Sequence, residues 1–266
     1  MSSCLNKMKI TFLGTGTSTG VPETGCTCPV CSSRDPRDSR LRTSVLVETN
    51  NNRILLDCGP DFRQQMLREG VRHLDAILLT HEHKDHTAGI DDVRAFNFVD
   101  YPTIHSMHIY ANEPTITTIT KDFDYAFAQN KYRGVPVIEL HTITVDSCFE
   151  VKGIEIMPVE GRHSERFKVF GYRIGKLAYL TDFDSISDTE LSKLEGVEYL
   201  VINALRWAEH SSHFSVGQAL DIIKRVAPKR AFLTHMSHGI GLHAEAERKL
   251  PCGVEFAYDG LTVEIE

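Results

Sequence analysis

The segment Thr80-His81-Glu82-His83-Lys84-Asp85-His86 sets four metal-competent side chains within six positions, in the pattern H-x-H-x-D-H. Imidazole and carboxylate are ligands that borderline divalent cations such as zinc accept. A lone histidine in a polar loop needs no metal to explain it; this density of ligand-type residues does. His81 and His83 are two residues apart, so in extended backbone they project to one side and can share an ion. Asp85 and His86 follow where the chain turns toward Thr87-Ala88-Gly89-Ile90 and can aim at a second ion alongside.

The pairing of an apolar run with a ligand-type residue recurs three times. His163 follows the run ending at Val159, Asp182 follows Tyr179-Leu180-Thr181, and His235 follows Phe232-Leu233-Thr234. Each alone also reads as a cap or a satisfied residue at a sheet edge. As an ordered set they supply the remaining ligands and a carboxylate able to bridge two ions. A second cluster is Cys26-Thr27-Cys28-Pro29-Val30-Cys31, whose C-x-C-x-x-C spacing is a zinc signature lacking its fourth ligand. His238, three residues beyond His235, is the best candidate, so that one turn would present a histidine to each of two metal sites. His73, His105, His108, His141 and His243 show no ligand spacing and are read as structural or surface groups.

These side chains need rigid elements behind them. Ala76-Ile77-Leu78-Leu79-Thr80 reads as a short buried strand. Strands are also expected over Lys9–Leu13 and in a hairpin of Ser44–Glu48 and Arg53–Asp57, with Asn50-Asn51-Asn52 as its turn. Further strands fall at 149–151, 154–159, 170–174, 177–181, 199–203, 230–234 and 261–265. Helices are expected over Pro60–Glu69, within 114–127, and over Ser215–Val226, which Ser215 and Gln218 open as a capping box. Hairpins mixed with helices predict an α/β fold of two stacked mixed sheets with helices on their outer faces. The expected organisation is one domain over residues 8–266 behind a short disordered leader, residues 1–7.

At 266 residues the chain can bury a large core. A net charge of −7 argues against broad, nonspecific binding to long nucleic acids. No apolar run approaches the ~20 residues needed to span a bilayer, so no membrane partner is expected. Seven cysteines, three of them clustered, fit metal chemistry in a reducing compartment, and a cytoplasmic location is expected.

The order Asp57, His81 to His86, His163, Asp182, His235 resembles the metallo-β-lactamase superfamily over nearly the whole chain. The resemblance implies an αβ/βα sandwich with the site at the open edge between its sheets. It also implies that His81, His83 and His163 hold a first metal, that Asp85, His86 and His235 hold a second, and that Asp182 bridges them. Asp57 would brace the metal-bearing loops by hydrogen bonding. The chemistry expected is attack by a hydroxide shared between two divalent ions, manganese or zinc, on phosphorus or a carbonyl. Related redox proteins carry a carboxylate where this chain has His83, which favours hydrolysis. The cysteine loop following Gly14-Thr15-Gly16-Thr17-Ser18-Thr19-Gly20-Val21-Pro22, together with His235-x-x-His238, is similar to the PhnP branch of phosphodiesterases. By that likeness Cys26, Cys28, Cys31 and His238 hold one structural zinc.

The segment His213-Phe214-Ser215 is similar to a His-Ser-Thr helix start in transfer-RNA-processing relatives, whose histidine contacts the scissile phosphate. His213 is accordingly expected in catalysis with Asp85, with Arg206 as a second phosphate contact and His210 as a competing candidate. Only eighteen residues separate His163 from Asp182, too few for the substrate arm of those nucleases. The expected substrate is a small phosphodiester of the cyclic ribosyl phosphate or cyclic nucleotide type. The alternatives are a thioesterase or lactonase of the same fold and a pyrroloquinoline-quinone biosynthesis-like protein. A homodimer is an expectation carried by the resemblance alone.

Overall fold

The computed structural model describes residues 7–265. Residues 1–6 of the expected leader lie outside the described residues. Six strands build most of a first sheet: β1 (Met8–Gly14), β2 (Ser44–Thr49), β3 (Asn52–Leu56), β4 (Ala76–Leu78), β5 (Met107–Ala111) and β6 (Ile138–Thr142). A second sheet follows with β7 (Phe149–Val151), β8 (Ile154–His163), β9 (Phe167–Ile174), β10 (Leu177–Leu180), β11 (Tyr199–Asn203), β12 (Arg230–Thr234) and β13 (Val254–Phe256). The last strand, β14 (Thr262–Ile265), returns to the first sheet beside β1. The orders are 14-1-2-3-4-5-6 and 13-12-11-10-9-8-7. The expected pair of mixed sheets flanked by helices is therefore present.

Each sheet is antiparallel on one side and parallel on the other. Antiparallel pairing runs from β14 to β3 and from β7 to β10; parallel pairing runs from β3 to β6 and from β10 to β13. Parallel neighbours require crossover connections, and those connections carry the helices. Phe62–Arg68 links β3 to β4, Glu113–Asp122 links β5 to β6, and Val216–Val226 links β11 to β12. Covering both faces explains why β3 and β4 are apolar without alternation. Ile54, Leu56, Ala76 and Leu78 enter the core between the sheets, whereas Leu55 and Ile77 face the outer helices. Among the described residues no helix is long and apolar enough to cross a membrane.

Several boundaries differ from expectation for identifiable reasons. The β2–β3 turn uses two residues, Asn50 and Asn51, both at positive φ (51° and 63°), as the tightest hairpins require. The helix expected within 114–127 breaks at Phe123, which closes Glu113–Asp122 and precedes a separate turn at Asp124–Phe127. β8 does not stop at Val159 but continues through Glu160-Gly161-Arg162 to His163, because β9 pairs with it along that whole length. Strands β5, β6 and β13 were not anticipated, being short and, in β6, half exposed.

Candidate metal centres

Three of the chemistry-bearing residues sit just beyond strand ends in the left-handed backbone region. They are Asp57 after β3 (φ 65°), Asp182 after β10 (φ 62°) and His235 after β12 (φ 56°). That region is sparsely populated by residues with a Cβ, and aspartate tolerates it better than most. It breaks the strand abruptly, so these residues stand at the carboxyl edge of the parallel strands, where open α/β sheets collect ligands. Two glycines let the neighbouring backbones close up. A Cβ on Gly59 would lie 2.1 Å from the Asp85 carbonyl oxygen, and one on Gly89 would lie 2.1 Å from that of Gly59.

Asp57 is fully buried and organises the loop after β4. The Thr80 N–H and hydroxyl donate to it at 2.9 and 3.0 Å, and the Tyr179 hydroxyl donates at 3.1 Å. The oxygen that takes the Tyr179 proton also lies 2.9 Å from His86 Nδ1. Since the Thr80 proton goes to Asp57, the contact of 3.0 Å between Thr80 Oγ1 and His81 Nδ1 has the imidazole as donor, which leaves His81 Nε2 with its lone pair. His163 Nδ1 likewise faces the Ser212 carbonyl at 2.7 Å, freeing its Nε2. The second sheet also reaches across the core: the buried Tyr172 hydroxyl donates to the Leu79 carbonyl at 2.5 Å.

The ligand-type atoms form two adjacent groups, His81 with His83 and His163, and Asp85 with His86, Asp182 and His235. In the second group His86 Nε2 is 3.2 Å from Asp85 and 3.1 Å from Asp182, while His235 Nε2 is 3.5 and 3.2 Å from the same carboxylates. Ligands held ~2.0–2.1 Å from one tetrahedral ion stand about 3.3 Å apart, the spacing seen here. His81 Nε2, His86 Nε2 and His235 Nε2 are buried without a hydrogen-bond partner among the described residues. Such orphaned atoms are costly unless something else engages them. The residues thus fit divalent cations.

Charge supports the same fit. Burial alone would lower the His86 pKa, yet Asp85, Asp182 and Asp57 together hold it well above the ordinary histidine range. Burial pushes Asp182 and Asp85 up, but His235 and His86 around the first and His86 and His235 around the second bring both below the usual carboxylate range. The pocket therefore calls for positive charge, which a cation supplies while displacing the proton. In the all-histidine group burial holds His81 and His163 low, as neutral ligands should be.

His213 joins this constellation and Arg206 does not. His213 Nε2 is 3.0 Å from Asp182 Oδ1, its ring stacks 5.0 Å from His235, and its Nδ1 is 2.9 Å from Ser212 Oγ. The expected capping box is formed by Ser215 and Gln218, and it fixes the helix start two residues later. His210 lies behind His213, Nδ1 to Nδ1 3.4 Å, rather than beside the ligands. The Arg206 guanidinium donates to the carbonyls of its own turn, Glu209 at 3.1 Å and Ala208 at 3.4 Å.

The cysteine loop closes around His238. Its Nδ1 is 3.4, 3.8 and 3.3 Å from the sulfurs of Cys26, Cys28 and Cys31, matching a tetrahedral zinc edge, and no other protein ligand is needed. The Cys31 amide donates to Cys28 sulfur and lowers that thiol's pKa, whereas burial pushes the Cys31 thiol up to about 11 against the Glu23 amide that donates to it. Buried Arg40 and half-buried Asp259 secure the loop's far end: Arg40 donates to the Thr15 hydroxyl and the Ala257 carbonyl, and Asp259 accepts from Thr15 and the Leu41 amide.

Sequence reasoning missed the positioning residues Thr80, Tyr172, Tyr179 and Asn203. Asn203 exchanges hydrogen bonds with the Phe183 backbone (2.9 and 3.0 Å) and so fixes the chain after Asp182. Its one signal was an amide ending the run Tyr-Leu-Val-Ile-Asn.

A β-lactamase superfamily domain matches residues 52–236, from the strand before Asp57 to the residue after His235. The chain belongs to that superfamily and has its metallo-hydrolase fold. Within it the chain is PhnP-like. A solved structure described as a new diphosphatase from the PhnP family shares 40% identity at a TM-score of 0.91, with 98% of each chain covered. The octanoyltransferase of Porphyromonas gingivalis is 41% identical over 261 residues, 97% of this chain but 52% of that protein. Coenzyme PQQ synthesis protein B of Methylorubrum populi is 31% identical over 166 residues, 56% of this chain and 50% of that protein. The chain thus spans about half the length of these curated relatives.

Proposed function

We propose that this chain hydrolyses a small phosphodiester, of the cyclic ribosyl phosphate or cyclic nucleotide type, with two divalent cations in the His/Asp groups and a zinc in the Cys₃His group. The observation that carries the reading is His213 Nε2, a proton-bearing group 3.0 Å from Asp182 within a cluster of orphaned ligand atoms. When bound, manganese or zinc would supply Lewis acidity toward a phosphoryl oxygen and lower the proton affinity of water. The ions would be held by His81, His83 and His163 and by Asp85, His86 and His235, with Asp182 between them.

The chain's own groups do the remainder. Asp57, Thr80 and the Ser212 carbonyl hold the imidazole tautomers. Asp85, at the rim, orients the water that attacks phosphorus. His213 hydrogen-bonds to the phosphoryl group and gives a proton to the departing alkoxide oxygen, the step in which a positioned acid contributes most.

The 40%-identical diphosphatase favours a phosphoryl substrate and makes a small diphosphate the second reading. The octanoyltransferase name belongs to a protein of which this chain matches 52%, so acyl transfer serves as the competing arm of the test. Manganese- and zinc-reconstituted protein is assayed against ribose cyclic phosphates, cyclic nucleotides, a nucleoside diphosphate derivative, an octanoyl thioester and a lactone. Turnover of the thioester or lactone without any of the phosphates overturns the proposal.

A further inference from the structure

Away from both centres, the inner face of the β5–β6 edge of the first sheet carries His108, Glu139 and His141. β6 is the outermost strand there, and the parallel register sets His108 opposite Glu139 and Tyr110 opposite His141. Alternation puts all four on one side of the sheet, with Ile109 and Leu140 packed on the other.

His108 Nδ1 lies 3.0 Å from His141 Nε2, a hydrogen bond in which one ring is the donor and the other the acceptor. One Glu139 oxygen lies 3.6 Å from the first and the other oxygen 3.7 Å from the second, too far for a hydrogen bond to either yet close enough for all three groups to share an ion. Ligands ~2.0–2.1 Å from a tetrahedral zinc stand about 3.3 Å apart, so a small outward shift of the rings seats an ion among all three. The site is also stiff. His141 stacks on Tyr110 (4.4 Å, 14° between planes), and Tyr110 stacks on Phe149 (5.3 Å).

We propose that His108, Glu139 and His141 form a further binding site for a divalent transition cation, zinc being the probe. Three protein donors leave a fourth position facing solvent, so the site is open, unlike the Cys₃His group. Bound there, the ion clips edge strand β6 to β5.

Zinc-replete protein, desalted to remove loose metal, is titrated calorimetrically with Zn²⁺. One further equivalent is expected in the wild type, absent in His108→Ala and His141→Ala and weakened in Glu139→Gln. Far-ultraviolet circular dichroism checks each fold, and His141→Gln, which keeps a planar polar group against Tyr110, replaces any alanine variant that unfolds. Phosphodiester turnover stays unchanged in all of them, since none touches the His/Asp groups. The absence of a further equivalent in the wild type, or its persistence in the histidine variants, overturns the proposal.

Discussion

Replacing Asp57 by asparagine alters no shape but reverses one hydrogen-bonding polarity. The retained carbonyl oxygen can still accept from Thr80, N–H and hydroxyl, where Asp57 accepts at 2.9 and 3.0 Å. The new amide nitrogen then occupies the position 3.1 Å from the Tyr179 hydroxyl and 2.9 Å from His86 Nδ1. Tyr179 can turn its proton away and accept. His86 can accept only if Nδ1 is bare, which moves the proton of a neutral imidazole onto Nε2, the nitrogen facing Asp85 and Asp182. That tautomer has no lone pair for a cation. Loss of such an outer partner costs about 10–100-fold in metal affinity, roughly 1.4–2.7 kcal/mol. Folding should suffer less than in an alanine variant, because both Thr80 donors keep their acceptor and only the Tyr179 proton must turn elsewhere. Alanine would instead strand three buried donors at about 1–3 kcal/mol apiece, comparable with the whole stability of a domain. Zinc affinity is read by competition with a chromophoric chelator, beside a thermal melt of the metal-free protein. Wild-type affinity in Asp57→Asn would refute the tautomer argument.

Asp182→Asn should lose metal from the His/Asp groups together with turnover; full metal content by mass spectrometry would exclude the bridging role. His213→Ala should keep its metal while the rate falls by about 10²–10⁴, and an unchanged rate removes His213 from the mechanism. Cys28→Ser should lose zinc and melt at lower temperature with intrinsic turnover preserved, whereas unchanged chelator resistance counts against a structural ion. Burial, then Arg40 and Arg37, depress the pKa of His243 to about 4, and Arg40 donates to its Nδ1. Its contribution to stability is therefore complete above the unfolded value near 6.5 and is lost as pH falls through 4. In urea titrations at pH 7, 6 and 5, His243→Gln should lack this part of the decline. The ligand histidines titrate equally in both proteins, so identical slopes would show that His243 does not drive it.

What the sequence made legible was local. The pattern from His81 to His86 is compact because one turn carries it, and the Ser215–Gln218 box is a contact across three residues. The strands Tyr199–Asn203 and Arg230–Thr234 were read to the residue because parallel burial on both faces leaves an unbroken apolar run. His163 was placed past its strand because Glu160-Gly161-Arg162 looks like a loop; pairing with β9 overrides that local preference, and Gly161 is demanded by the Phe183 ring, 2.2 Å from where its Cβ would be. His108 and His141 were dismissed for a related reason. They lie 33 residues apart on strands that only the register of β5 and β6 brings together. Arg206 shows what spacing leaves out, since its hydrogen bonds to the carbonyls of its own turn carry no sequence signal.

The left-handed backbone at Asp57, Asp182 and His235 has a consequence for redesign. Glycine would occupy all three positions with less conformational penalty than the residues found there. An optimiser that scored backbone torsions alone would therefore be drawn to write glycine at each, and at Asp57 it would strip Thr80 and Tyr179 of their buried acceptor. The torsional penalty at these positions is carried for the sake of what the side chains engage.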